Sequence, residues 1–180
     1  MQQVLPWGER ISIVGTTGSG KTTLARCIAQ QRQIPHVELD ALHWDANWTP
    51  ASDQVFRERV TQALQGDAWV VDGNYSQVRD VVWSRADTVV FLDYPFWLVM
   101  RRLIQRTLRR SWRREELWNG NREDFRSSFF SQDSILLWML RTYNQKRKTY
   151  PLLFQKPEYA HLSIIHLQSP QMAAQWLSSF

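Results

Sequence analysis

Gly15, Gly18 and Gly20, followed at once by Lys21 and Thr22, stand at every fixed position of the pattern G-x-x-x-x-G-K-[ST]. These residue types in this order can hold a polyphosphate. Glycines let backbone amides close around an anion, a lysine reaches its outer phosphates, and a threonine hydroxyl can ligate Mg²⁺. Gly15, Thr16, Thr17, Gly18, Ser19, Gly20, Lys21, Thr22 and Thr23 are therefore the expected ATP contacts, with Thr22 a ligand of the metal. Such a loop works only where a buried strand runs into it and a helix leaves it, so that the helix's positive end faces the phosphates. Both are readable: Arg10 to Val14 is a short β-branched run, and Leu24, Cys27 and Ile28 fall at helical spacing.

Four more apolar runs read as strands: 33–40, 68–72, 88–93 and 161–167. Helical periodicity is expected between them, from Ser52 to Gly66 with Ser52 as cap, then over 76–84, 96–110 and 135–150, and after Ser169-Pro170. Pro151 ends or bends the helix over 135–150. Residues 41–50 show no period and read as a loop over the site, carrying Trp44 and Trp48. Alternating strands and helices predict an α/β fold, a parallel sheet covered on both faces, in a single domain over residues 1–180. Right-handed crossovers then gather the strand tips along one edge.

Three aspartates belong to that edge: Asp40, Asp72 and Asp93. Asp72, closing Val70-Val71, best fits the acid that serves the metal. Asp40 suits either metal-bound water or the proton of an acceptor hydroxyl. Asp93 lies two residues before Pro95 and reads as a helix cap. Transfer of a phosphoryl group also needs cations and exclusion of water. Arginines crowd from Arg101 to Arg114 and recur at Arg122, flanking an Asn119-Gly120-Asn121 break, so a mobile lid is expected at about 111–124. Arg106, Arg110 and Arg122 join Lys21 and Asp40 as candidate catalytic groups.

Composition narrows the class. The 180 residues carry a formal charge of +5, with 43% hydrophobic and 22% charged residues. An anionic ligand suits that balance. No apolar run approaches membrane-span length. The N-terminus lacks a signal-peptide pattern and Cys27 is the lone cysteine, so a reducing, cytoplasmic compartment is expected.

The order of these features resembles a known family. The loop, then Trp69-Val70-Val71-Asp72-Gly73-Asn74-Tyr75, then Phe91-Leu92-Asp93-Tyr94-Pro95 with its arginine-studded helix, then Glu116 to Glu123 (ELWNGNRE), look like the adenylate-kinase-related P-loop proteins of the DNA topology modulation (FlaR-type) family. That resemblance spans nearly the whole chain. It implies a P-loop NTPase fold of the nucleoside-monophosphate-kinase type, with five parallel strands in order 2-3-1-4-5 and a lid. Where adenylate kinase would read D-G-F-P-R, this chain reads Asp72-Gly73-Asn74-Tyr75, and Arg79, a turn later, stands in for the missing arginine. The expected activity is transfer of the γ-phosphate of ATP to a small acceptor held by Asp40, Trp44, Asp72, Asn74, Tyr75 and Arg79. Trp44 and Trp48 either stack a planar group or cap the next helix. The rival expectation is a nucleic-acid-associated ATPase or regulator, which the basic run favours and no nucleic-acid-binding motif supports.

Overall fold

A computed structural model describes residues 8–113, 115–121 and 135–179. At its centre is β1 (Arg10–Gly15), buried from Ile11 onward. It is flanked by β5 (Trp69–Asp72) and β6 (Thr88–Leu92), both wholly buried, as near-continuous apolar runs require when helices cover both faces. β2 (His36–Glu38) and β7 (Ser163–Leu167) form the edges. The sheet order is β2-β5-β1-β6-β7 and every pairing is parallel. Counted within this sheet the order is 2-3-1-4-5, as the resemblance implied.

Period-two alternation divides the core. Ile11, Ile13, Val70, Val90 and Leu92 pack with α1 (Lys21–Arg32), α5 (Phe96–Arg113) and α7 (Pro170–Leu177) on one face. Val14, Val71, Val89 and Phe91 pack with α3 (Asp53–Ala63) and α4 (Arg79–Arg85) on the other. Phe56, Val60 and Leu64 of the α3 segment are fully buried. Each such side chain contributes about 1.5–3 kcal/mol when removed from water. The expected caps are present: Ser52 accepts from the Val55 amide at 3.4 Å and Ser169 from the Met172 amide at 3.2 Å.

α6 (Ile135–Phe154) is unusual because it serves both cores. Met139 and Tyr143 join the α1/α5 side, whereas Tyr150 and Leu153 join the α3/α4 side. The helix therefore crosses the sheet edge where the strands end.

Four expectations are corrected. The second strand stops at Glu38, and Asp40 lies in the first turn of a short α2 (Leu39–His43), because Leu39 turns into the core at 3% exposure. Residues 44–50 form a tight hairpin, β3 (Trp44–Asp45) against β4 (Thr49–Pro50), around a 3₁₀ turn with Asn47 and Trp48 at positive φ. α6 continues through Pro151 to Phe154, since Leu153 and Phe154 have the Trp83 side of the core to fill. Asp93 is not a helix cap: the first turn of α5 bonds to the Pro95 carbonyl, and the Asp93 carboxylate instead meets Arg147 Nε at 2.7 Å and His166 Nε2 at 3.1 Å. Among the described residues no helix is long and apolar enough to cross a membrane.

Candidate active site

The loop after β1 is held open from behind. A Cβ at Gly15 would stand 2.6 Å from the Leu92 carbonyl oxygen, and one at Gly18 2.9 Å from that of Val99. With φ of 148° and 81°, both positions require glycine. The Asn74 amide braces the loop's first residue, donating from Nδ2 to the Gly15 carbonyl at 2.6 Å and accepting from the Gly15 amide at 3.1 Å. Tyr150 in turn donates to Asn74 Oδ1 at 2.9 Å. Arg102 of α5 donates to the Ser19 carbonyl at 3.2 Å while its guanidinium lies over the Tyr94 ring.

In front, the loop is prepared for an anion. α1 begins after Gly20 with no side-chain cap and no acid in its first turn, so its leading amides keep their positive end for a ligand. Ser19 Oγ is buried without a hydrogen-bond partner among the described residues, as suits a donor reserved for a phosphate oxygen. Thr22 and Thr23 occupy the first turn of α1. Lys21 Nζ curls back to the Thr16 carbonyl at 3.2 Å. Burial lowers its pKa, which Asp72 and then Asp40 counter and Arg106 reinforces.

The acids differ in their company. Asp72, at the tip of β5 and 5% exposed, has one ion-pair contact among the described residues, His36 Nε2 at 3.5 Å. A buried carboxylate with so little neutralisation fits a magnesium site in which phosphate and water complete the shell. Asp40 Oδ1 accepts a 2.6 Å hydrogen bond from Tyr75. Burial and the Asp40 charge push the Tyr75 hydroxyl far up, so it remains a donor. His43 packs edge-on to Phe56 and beside Tyr75, and burial lowers its pKa.

Trp44 and Trp48 meet at 5.7 Å and 79°, and Trp48 meets Trp118 at 6.5 Å and 82°. These edge-on rings cap one another. Residues 118–121, in the segment expected as a lid, complete the cap: Trp118 Nε1 donates to Glu38 Oε2 at 3.0 Å, Asn119 Nδ2 to the Trp44 carbonyl at 2.5 Å, and Asn121 Nδ2 to the Asp45 carbonyl at 2.9 Å, while Asn121 Oδ1 accepts from the Trp48 amide at 2.7 Å.

The loop, Lys21, Asp40, Asp72, Asn74 and Tyr75 thus share one crevice at the strand tips. Arg79 sits at its far wall, 5.6 Å over the Trp83 ring, lining a small pocket with Gly73, Tyr75 and Tyr150. No carboxylate among the described residues lies within ion-pair reach of it. Arg106 acts on Lys21 electrostatically. Arg110 and Arg109 reach toward Glu115, at 4.0 and 3.4 Å. Arg122, Arg114 and residues 122–124 of the expected lid lie outside the described residues.

Sequence reasoning missed the contacts of His36 and Arg102, the docking of Asn119 and Asn121, and the burial of the Lys146 ammonium. The Lys146 ammonium is shut off from solvent near Lys21 and Asp40, and burial, then Lys21, push its pKa down to about 7. Its signal was available: it falls on the inward stripe of α6.

Comparison with known proteins agrees with this architecture. The ABC transporter family model matches residues 2–80, less than half of the chain but including the phosphate loop. The chain has no match among curated protein sequences. Among solved structures it is similar to a gluconokinase from Sinorhizobium meliloti 1021, at 18% identity and TM-score 0.53, covering 96% of this chain and 91% of that one. It is similar also to a shikimate kinase from Bacteroides thetaiotaomicron, at 15% identity and TM-score 0.52, covering 94% of each chain. A sugar kinase from a Janibacter species matches at 19% identity and TM-score 0.52, covering 95% and 93%. At these identities the likeness is one of fold, and the fold is that of the P-loop kinases.

Proposed function

We propose that the protein is an ATP-dependent phosphotransferase that moves the γ-phosphoryl group to a hydroxyl of a small acceptor. The observation that carries this reading is the uncapped start of α1, which carries Lys21, with Asp72 and Asp40 close enough to act on that lysine's charge. Residues Gly15 to Thr23 hold the triphosphate. Thr22 and Asp72 hold Mg²⁺, which would neutralise charge on the transferring group. Lys21, with Arg106, Arg110 and Arg122 from the lid side, steadies that group. The acceptor lies between Asp40, Trp44, Asp72, Tyr75 and Arg79, with Asn74 bracing the floor.

Asp40 favours a hydroxyl acceptor. A carboxylate near Lys21 repels an ionised phosphate but can accept a hydroxyl's proton as its oxygen attacks the γ-phosphorus and ADP leaves. Tyr75 orients Asp40 for that transfer. Gluconokinase and shikimate kinase, named for hydroxylated acids, support the same choice. The FlaR-type resemblance belongs with this reading, as does the cytoplasmic setting that the lone Cys27 suggested.

Labelled ATP with mononucleotides, nucleosides, sugar acids and sugar phosphates tests it. Phosphorylation of a hydroxylated acceptor, abolished by Lys21→Ala, is expected; no labelled product from any of them would sink the reading. One observation favours the nucleic-acid alternative. The exposed face of α5 carries Trp97 and Trp112, 64% and 91% exposed, beside Arg101 and Arg109. Salt-sensitive retardation of single-stranded DNA with ATP turnover stimulated by it would promote that alternative.

A further inference from the structure

We propose that Asn121 is the positioning residue of the acceptor side: it holds the hairpin over 44–50 in a shape that sets Trp44 against Tyr75 and so orients Asp40. The proposal rests on the reading of Asp40, Trp44 and Tyr75 as acceptor contacts. None of the hydrogen bonds of Asn121 reaches any of the three, so it acts through the hairpin.

Asn121 is 3% exposed and its side chain is fully bonded. Nδ2 donates to the carbonyls of Asp45 and Trp118, both at 2.9 Å, and Oδ1 accepts from the Trp48 amide at 2.7 Å. The Asp45 carbonyl and the Trp48 amide are the two groups that close a four-residue turn. Here a side-chain amide from elsewhere in the chain bridges them. The segment that delivers it is closed on itself, with the Leu117 amide on the Asn121 carbonyl at 2.7 Å and the Asn121 amide on the Trp118 carbonyl at 3.2 Å. Trp118 anchors that segment to Glu38 at 3.0 Å.

The hairpin turn needs such a hold. Asn47 and Trp48 lie at φ of 59° and 54°, a left-handed conformation that a bulky L residue adopts only under constraint. Glycine would sit there without strain. Tryptophan supplies what glycine cannot, a ring that meets Trp44 edge-on at 5.7 Å. Trp44 in turn meets His43 at 4.8 Å and Tyr75 through its indole N–H. Burial and Asp40 push the Tyr75 pKa up, and the hydrogen bond from the Trp44 side chain draws it back. Tyr75 then donates to Asp40 Oδ1 at 2.6 Å. Contacts therefore run unbroken from Asn121 to the carboxylate.

Two features confine the effect of Asn121 to the acceptor side. Arg59 of α3 holds the base of the hairpin independently, through the Leu42 carbonyl at 3.0 Å and Asp45 Oδ1 at 2.9 Å. The phosphate loop is braced by Asn74 and Arg102, to which Asn121 makes no hydrogen bond.

Indole ¹⁵N–¹H spectra of the full chain, assigned with Trp44→Phe, Trp48→Phe and Trp69→Phe, test this without an acceptor. Asn121→Ala should move the Trp44 and Trp48 signals and leave that of Trp69, buried in the core, in place. Affinity for Mg²⁺ with a non-hydrolysable ATP analogue should stay within about twofold of wild type. With labelled ATP and the panel of mononucleotides, nucleosides, sugar acids and sugar phosphates, kcat/KM for the phosphorylated acceptor should fall about tenfold while KM for ATP holds. Asn121→Gln, which carries the same amide one methylene further out, should show the same pattern at smaller size and serves if the alanine variant does not fold. In wild type the Trp48 amide should exchange with solvent about a hundredfold or more below its unprotected rate. A Trp44 signal unmoved in both variants, with only a lower melting midpoint, would make Asn121 a structural residue and overturn the proposal. So would an equal fall in nucleotide affinity, or an unprotected Trp48 amide in wild type. No labelled product from any acceptor would sink the phosphotransferase reading and the acceptor role with it, whereas the Trp44 signal would still report whether Asn121 shapes the hairpin.

Discussion

The tips of β5 and β6 lie on either side of β1 and end almost alike, an apolar run closing on an aspartate. Asp72 and Asp93 are also equally hidden, at 5% and 9% exposure. Their surroundings differ. Asp93 is matched inside the protein by Arg147, bonded through Nε at 2.7 Å and Nη2 at 3.3 Å, and by His166, whose ring stacks on Phe91. Asp72 has His36 at 3.5 Å and the field of Lys21. One charge is spent on joining β6 to α6 and β7. The other is the acid proposed above for the metal. Burial alone does not separate a structural acid from a functional one; the separation lies in whether the protein itself completes the neutralisation.

Replacing each acid by its amide sharpens the contrast. Asp72→Asn should cost the largest effect, a loss of about a hundredfold or more in phosphoryl transfer, as for groups that hold or orient a metal, with the thermal midpoint nearly unchanged. An equal loss of stability and activity, read by melting and by turnover of labelled ATP, would break the comparison. Asp93→Asn should do the reverse. It should lower unfolding free energy by about 1–2 kcal/mol in a urea titration, below the figure for a fully buried pair because Arg147 is 45% exposed, while nucleotide affinity stays close to that of wild type. The smallest effect belongs to Asp80, whose bidentate pair with Arg57, at 2.6 and 2.8 Å, lies in solvent. The Arg57 hydrogen bond holds the Asp80 carboxyl below its usual range, so any stability it adds is present above the unfolded carboxylate's pKa and fades as pH falls through the lowered one. Asp80→Asn should leave the acid limb of the stability curve where it was, since exposed pairs contribute little.

The segment around Trp118 and the glycine-rich loop show the same division. Gly15 to Thr22 could be read from the chain because its demands are local: backbone angles, a strand before it and a helix after it. The docking of Trp118 on Glu38 could not, because those residues are 80 apart in sequence and meet only across the folded surface. Trp44 and Trp48 left two uses open, and their rings and that of Trp118 fill each other's edges. Arg102 and Arg147 looked no different from the arginines around them, yet one braces the loop and the other neutralises Asp93.

From its residues alone this chain declared a parallel α/β sheet, the loop at Lys21, the caps at Ser52 and Ser169 and the crevice holding Asp72, since period, φ preference and capping act within a few residues. Folding decided which acid is neutralised, that Asp40 sits in a helix under Tyr75, and that Lys146 faces Lys21. Those outcomes depend on charge and hydrogen-bond partners a few ångströms away in space but many residues away in sequence, and electrostatic energy is set by the first of these distances.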